Sequence, residues 1–274
     1  MRTLLIAAAL AATLPTTLLA QRDDDDDRSS RQTDSSFRWT GVIPAGKWVV
    51  LRNVNGSVRV DAASGNQVEV TAVKRWRRGD PADVRITADK FGAANDNVVI
   101  CALWGDNAEC DESGYRSHNE GGRNRRSNDV SVEFTVRLPR GVKIETSTVN
   151  GGVRIAGASS TVEATTVNGD VEATSSAGPV TATTVNGDVN VRMQDAGTGD
   201  LEYTTVNGSV TIELPAPLNA EVDLSTVNGS LRSDFPLTLN GRVSPRHIRA
   251  TIGDGGRRIR VRTVNGSVEI RKAG

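Results

Sequence analysis

The chain has 274 residues, with 33 basic and 33 acidic side chains and a formal net charge of zero. A protein that holds nucleic acid concentrates positive charge over a surface, so this balance excludes nucleic acid as a partner. One apolar stretch lies at the N-terminus and no second one approaches membrane-spanning length, which excludes a membrane span in the mature chain.

Residues 1–20 read as a secretory signal peptide. Arg2 supplies the positive start, residues 4–14 the apolar core, Pro15 the break, and Leu18-Leu19-Ala20 a processing site. No cysteine follows Ala20, which argues against a lipid anchor. The expectation is an exported protein, periplasmic, associated with the cell surface or secreted. Residues 21–36 hold five consecutive aspartates, Asp23 to Asp27, among Arg and Ser with almost nothing apolar to bury. Such a segment is expected to be an acidic disordered linker. Its carboxylates lack the alternating ligands around a glycine that a calcium loop needs, so no metal is assigned to it.

Residues 37–141 read as an irregular β section. Val130, Val132, Phe134, Val136 and Leu138 alternate with polar residues, which predicts a strand with one buried face. All four tryptophans, Trp39, Trp48, Trp76 and Trp104, lie here. A repeat array exposes its first unit, and this heavier segment is expected to cap it. Cys101 and Cys110 are the only cysteines; an even count in an exported chain predicts a disulfide. No zinc spacing or Cys-x-x-Cys motif competes with that assignment. A polar insertion follows, with Tyr115, His118, Arg123, Arg125 and Arg126 around Gly121-Gly122; long loops of this kind are common binding sites. The run Lys74, Arg75, Trp76, Arg77, Arg78 joins charge to an aromatic and is the stronger candidate for a contact patch, against the alternative of a solvated turn between two strands.

Residues 142–274 are organised by the tetrad TVNG, which occurs six times and has a relative, NVNG, at residues 53–56. Its asparagines are Asn55, Asn150, Asn168, Asn186, Asn207, Asn228 and Asn265. Six residues before each stands an aliphatic residue, from Val49 and Ile144 to Ile259, and three residues after each stands another, from Val58 and Val153 to Val268. Flanking residues alternate, as strands with one buried face do. Each repeat is therefore two short strands joined by an Asn-Gly corner, a dipeptide associated with positive φ. Spacings of 18 and 21 residues between successive markers from Asn150 to Asn228 favour stacked coils over hairpins. Stacking would put Val on Val, Ala on Ala and Asn on Asn, with Tyr203 facing inward. The gap of 37 before Asn265 implies a missing marker and a distorted coil. The fold class expected is all-β: a β-solenoid or β-helix-like stack of coils of about 18–21 residues with an irregular N-terminal β cap.

The order of signal peptide, early NVNGSV, alternating strand ending in LPRGV, successive TVNGSV or TVNGDV units and a final TVNGSVEI resembles a bacterial adhesin-like family of envelope proteins with β-strand repeats. The resemblance covers residues 42–270. It implies a β-solenoid of the β-helix type, and it supplies no catalytic residue and no cofactor.

Polysaccharide-acting β-helix enzymes are the alternative. Asp170 and Asp188 follow successive Asn-Gly corners and would stand about 5 Å apart on stacked strands, at the edge of the range of about 5 to 9.5 Å that glycosidic hydrolysis needs. Both are at exposed turns with nothing apolar placed to shift a pKa, and Glu163, Glu172 and Glu202 are outward too. There is no G-x-S-x-G, and the two histidines, His118 and His247, lie in a polar loop and near Pro245. The G-G-x-G-x-D series of calcium-binding rolls is also missing. No catalytic, cofactor-binding or metal residue is assigned. The expected function is a non-enzymatic adhesin-like or scaffold module of the envelope or exterior, with envelope glycans or surface proteins as partners.

Overall fold

The structure, a computed structural model, describes residues 35–117, 128–241 and 244–274. The signal peptide, the acidic segment through residue 34, and His118, Arg123, Arg125 and Arg126 lie outside the described residues. Ser36, expected in the linker, belongs instead to the first strand, where its segment pairs with Val73 and its neighbours.

Period-two alternation marks most of the strands, while β2 and β6 are buried on both faces. The first nine are β1 (Ser36–Gly41), β2 (Trp48–Arg52), β3 (Val58–Ala62), β4 (Val68–Arg75), β5 (Val84–Phe91), β6 (Asn97–Trp104), β7 (Ala108–Asp111), β8 (Gly114–Ser117) and β9 (Ser131–Leu138). The middle of the chain supplies β10 (Lys143–Ser147), β11 (Val153–Ala158), β12 (Val162–Thr165), β13 (Val171–Ser175), β14 (Val180–Thr183), β15 (Val189–Met193), β16 (Leu201–Thr204) and β17 (Val210–Leu214). The last are β18 (Ala220–Ser225), β19 (Leu231–Ser233), β20 (Thr238–Leu239), β21 (His247–Ile252), β22 (Arg257–Arg262) and β23 (Val268–Lys272).

Every coil places the strand before its Asn-Gly corner in one sheet and the strand after it in a second. The first sheet runs β20-β21-β18-β22-β16-β14-β12-β10-β2-β6-β5 and the second β1-β4-β9-β3-β11-β13-β15-β17-β23-β19. Coil stacks on coil in parallel register, with Val162 on Val180, Ala164 on Ala182 and Val171 on Val189. The inward side chains of both sheets make one continuous core, with Tyr203 fully buried in it. Of the fourteen aliphatic positions locked to the markers, all are buried except Leu231, which sits in the edge strand β19. The three extra residues of the longer coils fall in the far corner, where residues 194–200 link β15 to β16 while only 176–179 link β13 to β14.

The stack differs from expectation at both ends. The regular array does not begin at residue 142: β2 and β3 already form a full coil, in register with β10 and β11. The chain then leaves, runs through β4 and β5, and returns as β6 and β9, which add one more coil beyond the first. Antiparallel β5, β4 and β1 close that end. The C-terminal end repeats the device. The gap of 37 residues holds no distorted coil in the stack; β20 and β21 fold antiparallel onto β18, and the final coil, β22 and β23, inserts between its predecessors, pairing with β16 and β17 on one side and β18 and β19 on the other. The coil first in sequence and the coil last in sequence are therefore each second from an end in space.

Candidate functional site

The seven corner asparagines stand in one column in the order 55, 150, 168, 186, 207, 265, 228. Asn168, Asn186, Asn207, Asn265 and Asn228 each donate from Nδ2 to Oδ1 of a neighbouring Asn, at 2.7 to 2.9 Å. Asn55 Nδ2 instead meets Val130 O at 2.9 Å, which carries the column onto the lead-in of β9. Behind the asparagines runs a second ladder that sequence reasoning missed. The hydroxyls of Thr148, Thr166, Thr184, Thr205, Thr263 and Thr226 are buried and donate to the corner glycine carbonyl of the adjacent coil at 2.8 to 3.0 Å. The first tetrad has Asn53 in that place, and its longer amide reaches both Gly56 O and Val132 O at 3.0 Å. The invariant Thr of the motif was the available signal.

The glycine of each corner answers to crowding more than to φ. A Cβ at Gly169, Gly187 or Gly208 would collide with the glycine carbonyl of the neighbouring coil. The asparagines themselves do not use the left-handed region, for the one non-glycine residue with positive φ among the described residues is Asn95. The Asn-Gly signal marks a close approach of backbones, and the positive-φ rationale applies only in part.

The residue after each glycine forms a third column. Asp170 Oδ1 accepts the Asp188 amide at 2.8 Å, and Asp188 Oδ1 accepts the Ser209 amide at 2.8 Å. The carboxylates singled out for glycosidase chemistry thus bind backbone of the next coil. Among the described residues no group of three or more His, Cys, Asp or Glu is arranged to hold a metal.

The basic run does not present one surface. Lys74 shares the parity of Val68, Val70 and Ala72 in β4, is buried, and donates from Nζ to Pro81 O at 2.8 Å. Lys74 is therefore withdrawn from the contact patch. Arg75 pairs with Glu133 at 3.2 Å. Trp76, Arg77 and Arg78 remain exposed at a loop tip, whose amides at Arg77, Arg78 and Gly79 wrap the Asp129 carboxylate. The Gly79 amide, ahead of those of Arg78 and Arg77, holds that carboxyl below its usual range. Those three residues are what the structure leaves of the patch.

Cys101 and Cys110 form a disulfide, with Cα atoms 6.2 Å apart. It ties the β7–β8 hairpin over the outer side of β2 and β6, where Val50, Val99, Leu103 and Ala108 make a second small core with Trp48, Phe91 and Tyr115. The hairpin also covers Arg52, which donates to Glu112 O at 2.8 Å and pairs with Glu145 at 2.6 Å. An outward Arg is ordinarily wet, and nothing in the sequence around Arg52 signalled this cover. Next to Glu145 in register stands Glu163; burial, and then the Glu145 charge, push its carboxyl above the usual range. His247 lies in β21 with Nε2 2.9 Å from Asp223 Oδ1, a satisfied strand residue. Burial likewise raises the Tyr203 phenol, whose hydroxyl meets only Met193 Sδ at 3.5 Å.

No helix among the described residues is long and apolar enough to cross a membrane, which says nothing of a β-barrel. Among curated proteins none is similar to this chain. Solved structures are, and three of them follow. One is a proposed cell adhesion protein from Clostridium sporogenes, at 10% identity over 87% of this chain and 100% of that one, with a TM-score of 0.41. A proposed adhesin from Bacteroides fragilis has 11% identity over 87% and 97% of the two chains, with a TM-score of 0.31. A further one from Parabacteroides merdae has 10% identity over 88% and 97%, with a TM-score of 0.26. The family model described as Toastrack DUF4097 matches residues 120–271, a span that takes in β9 through β22 and omits the β2–β3 coil, although that coil shares the same column. With more than half of its length matched, and with the stacked strands of a β-solenoid-like fold, the chain belongs to the Toastrack DUF4097 family.

Proposed function

We propose that this protein is a non-enzymatic module of the cell envelope or exterior that offers its repeated polar faces as a scaffold or contact surface to envelope glycans or surface proteins. The observation that carries this reading is the use of the repeated polar groups. Asn amides, Thr hydroxyls and corner carboxylates bind the next coil's backbone or side chains, so they hold coil to coil and leave the outward Thr, Ser and Arg–Glu positions for contact. Residues 1–20 supply the export signal that such a role requires. Repetition suits weak contacts to a repetitive partner, which gain from multivalency.

A glycan array and a pull-down from envelope extracts test it, and a retained glycan or surface protein is the expected result. The enzymatic alternative predicts turnover of an envelope polysaccharide that disappears when Asp170 and Asp188 are both changed to Asn. Asparagine keeps an Oδ1 acceptor for the next coil's amide, so loss of turnover in that variant would not be an unfolding artefact. Such turnover would replace the contact-surface reading.

A further inference from the structure

We propose that the notch at Gly152 is a saccharide subsite that takes a neutral, hydroxyl-bearing sugar ring. The proposal rests on the contact-surface reading and narrows it to one place on the stacked coils.

The column of residues following the corner glycines reads Ser57, Gly152, Asp170, Asp188, Ser209, Ser267, Ser230 in stacking order. Four consecutive links in it are closed by the same bond, in which a side-chain oxygen accepts the next residue's amide. Asp170 Oδ1 takes Asp188 N–H and Asp188 Oδ1 takes Ser209 N–H, both at 2.8 Å; Ser209 Oγ takes Ser267 N–H at 3.2 Å and Ser267 Oγ takes Ser230 N–H at 3.3 Å. At Gly152 there is no side chain to supply the oxygen, and among the described residues no acceptor meets the Asp170 amide.

The fold does not require glycine there. Gly152 is not in the left-handed region, and a Cβ on it would meet Asp170 O at 3.4 Å and Asp170 N at 4.0 Å, ordinary contact distances. Its neighbour Gly151 is different, for a Cβ there would collide with the Gly56 carbonyl. The missing side chain opens a groove of about 460 Å³ lined by Ser57, Arg59, Gly152, Arg154, Asp170 and Glu172, among others, within the size range of small-molecule sites.

The groove's chemistry interleaves donors and acceptors. Arg59 pairs with Asp61 at 2.9 Å and Arg154 pairs with Glu172, so both guanidinium charges are balanced while each keeps further N–H donors. Asp170 and Glu172 add acceptor oxygens. With two carboxylates against two guanidiniums in its lining, the groove has no positive excess to select an anion. A hydroxyl, which donates and accepts at once, fits both sets, and a serine hydroxyl is already an adequate acceptor in two of the four closed links. No aromatic lines the groove, so no stacking adds to the hydrogen bonds and one site binds weakly, at about millimolar Kd.

The test uses the full chain labelled with ¹⁵N and titrated with the methyl glycosides of glucose, N-acetylglucosamine and glucuronic acid. The neutral glycosides are expected to shift the Gly152 and Asp170 amides. Gly152→Asp, which restores the column's own acceptor, is expected to weaken that binding at least tenfold without lowering Tm, and Gly152→Ser provides the same test should the Asp variant fail to fold. Undiminished glycoside binding by a folded Gly152→Asp or Gly152→Ser protein would overturn the notch while leaving the contact-surface reading intact. Binding of the glucuronide alone would overturn the neutral-ring assignment. No shift with any glycoside would overturn the subsite, and the contact-surface reading falls with it only if envelope extracts also yield no partner.

Discussion

The middle coils and the C-terminal coils of this molecule are built from the same tetrad, whereas the outermost N-terminal coil, β6 and β9, lacks it, and only in the middle does order along the chain equal order in space. From Asn150 to Asn207 each coil lies on the one before it. At either end a strand pair wedges between strands that precede it in sequence, as β9 does between β3 and β4 and β23 between β17 and β19. The corner chemistry explains the difference at the C-terminal end. A TVNG face offers an Asn amide, a Thr hydroxyl and a glycine carbonyl, and any other TVNG coil completes them equally well. Repetition therefore fixes that coils stack and in what register, while the connections decide which coil lies on which. Repeat proteins are usually treated as nearest-neighbour arrays in sequence; here the neighbours at the ends are nearest in space only.

The largest expected effect follows from that distinction. Deleting residues 257–274 removes β22 and β23 from between two coils. In a sequential stack the loss would stop at the terminal coil. Here β18 and β19 lose their parallel partners, so hydrogen exchange should show protection collapsing over β18–β21 as well, a loss on the order of 5 kcal/mol of local stability. Retained protection in β18 would mean that it can close onto β16 unaided. Within the middle, Val171→Asp places an unpaired carboxylate between Val153 and Val189 in the core and should cost several kcal/mol, about 3 to 5, by denaturant titration. Gly187→Ala should cost about 2 kcal/mol, since its Cβ meets the Gly169 carbonyl, whereas alanine at Gly152 should cost almost nothing. Equal effects at the two glycines would refute the close-approach account of the corner. Thr184→Val removes a hydroxyl donor to Gly169 O at 2.9 Å with little change of shape and should cost about 1 kcal/mol.

Much of this was legible in the sequence, for physical reasons that differ by element. Alternation placed Val162, Ala164, Val180 and Ala182 inward because a strand's period is two, and the locked tetrads set their register. Coil order at the ends was not legible, because residues 234–257 carry no marker and the folded-back hairpin β20–β21 is specified by long-range pairing. The position of Lys74 was legible but overlooked: it continues the buried parity of Val68, Val70 and Ala72. Arg52 was not, since the hairpin that buries it is brought over it by a disulfide between residues beyond the first coil. The Gly152 notch is an absence in a column, and it acquires meaning only once the amide-to-side-chain links on the other coils are seen.

The smallest expected effect separates the two sheets of a single coil. Glu163 on β12 sits beside Glu145 in register, and burial followed by that neighbouring charge raises its carboxyl above the usual range, with Arg52 and Lys143 opposing. The folded state then binds its proton more tightly than the unfolded state does. Across the window between the unfolded carboxylate range and the raised folded value, the native protein holds more protons, so stability falls as pH rises and then levels off once both states are ionised. Glu163→Gln removes that penalty. The variant should be more stable than the parent at pH 7 and equal to it below the window. The side chain is only partly buried, so the gain should be only about 0.3 kcal/mol. Glu172, the next glutamate along the same coil, lies on the other sheet and pairs with Arg154. Its change to Gln should bring no such gain. Unfolding curves of the two variants at matched pH values decide the matter, and a Glu163→Gln protein less stable than its parent at pH 7 would show that Arg52 and Lys143, not Glu145 and burial, dominate the field on that face.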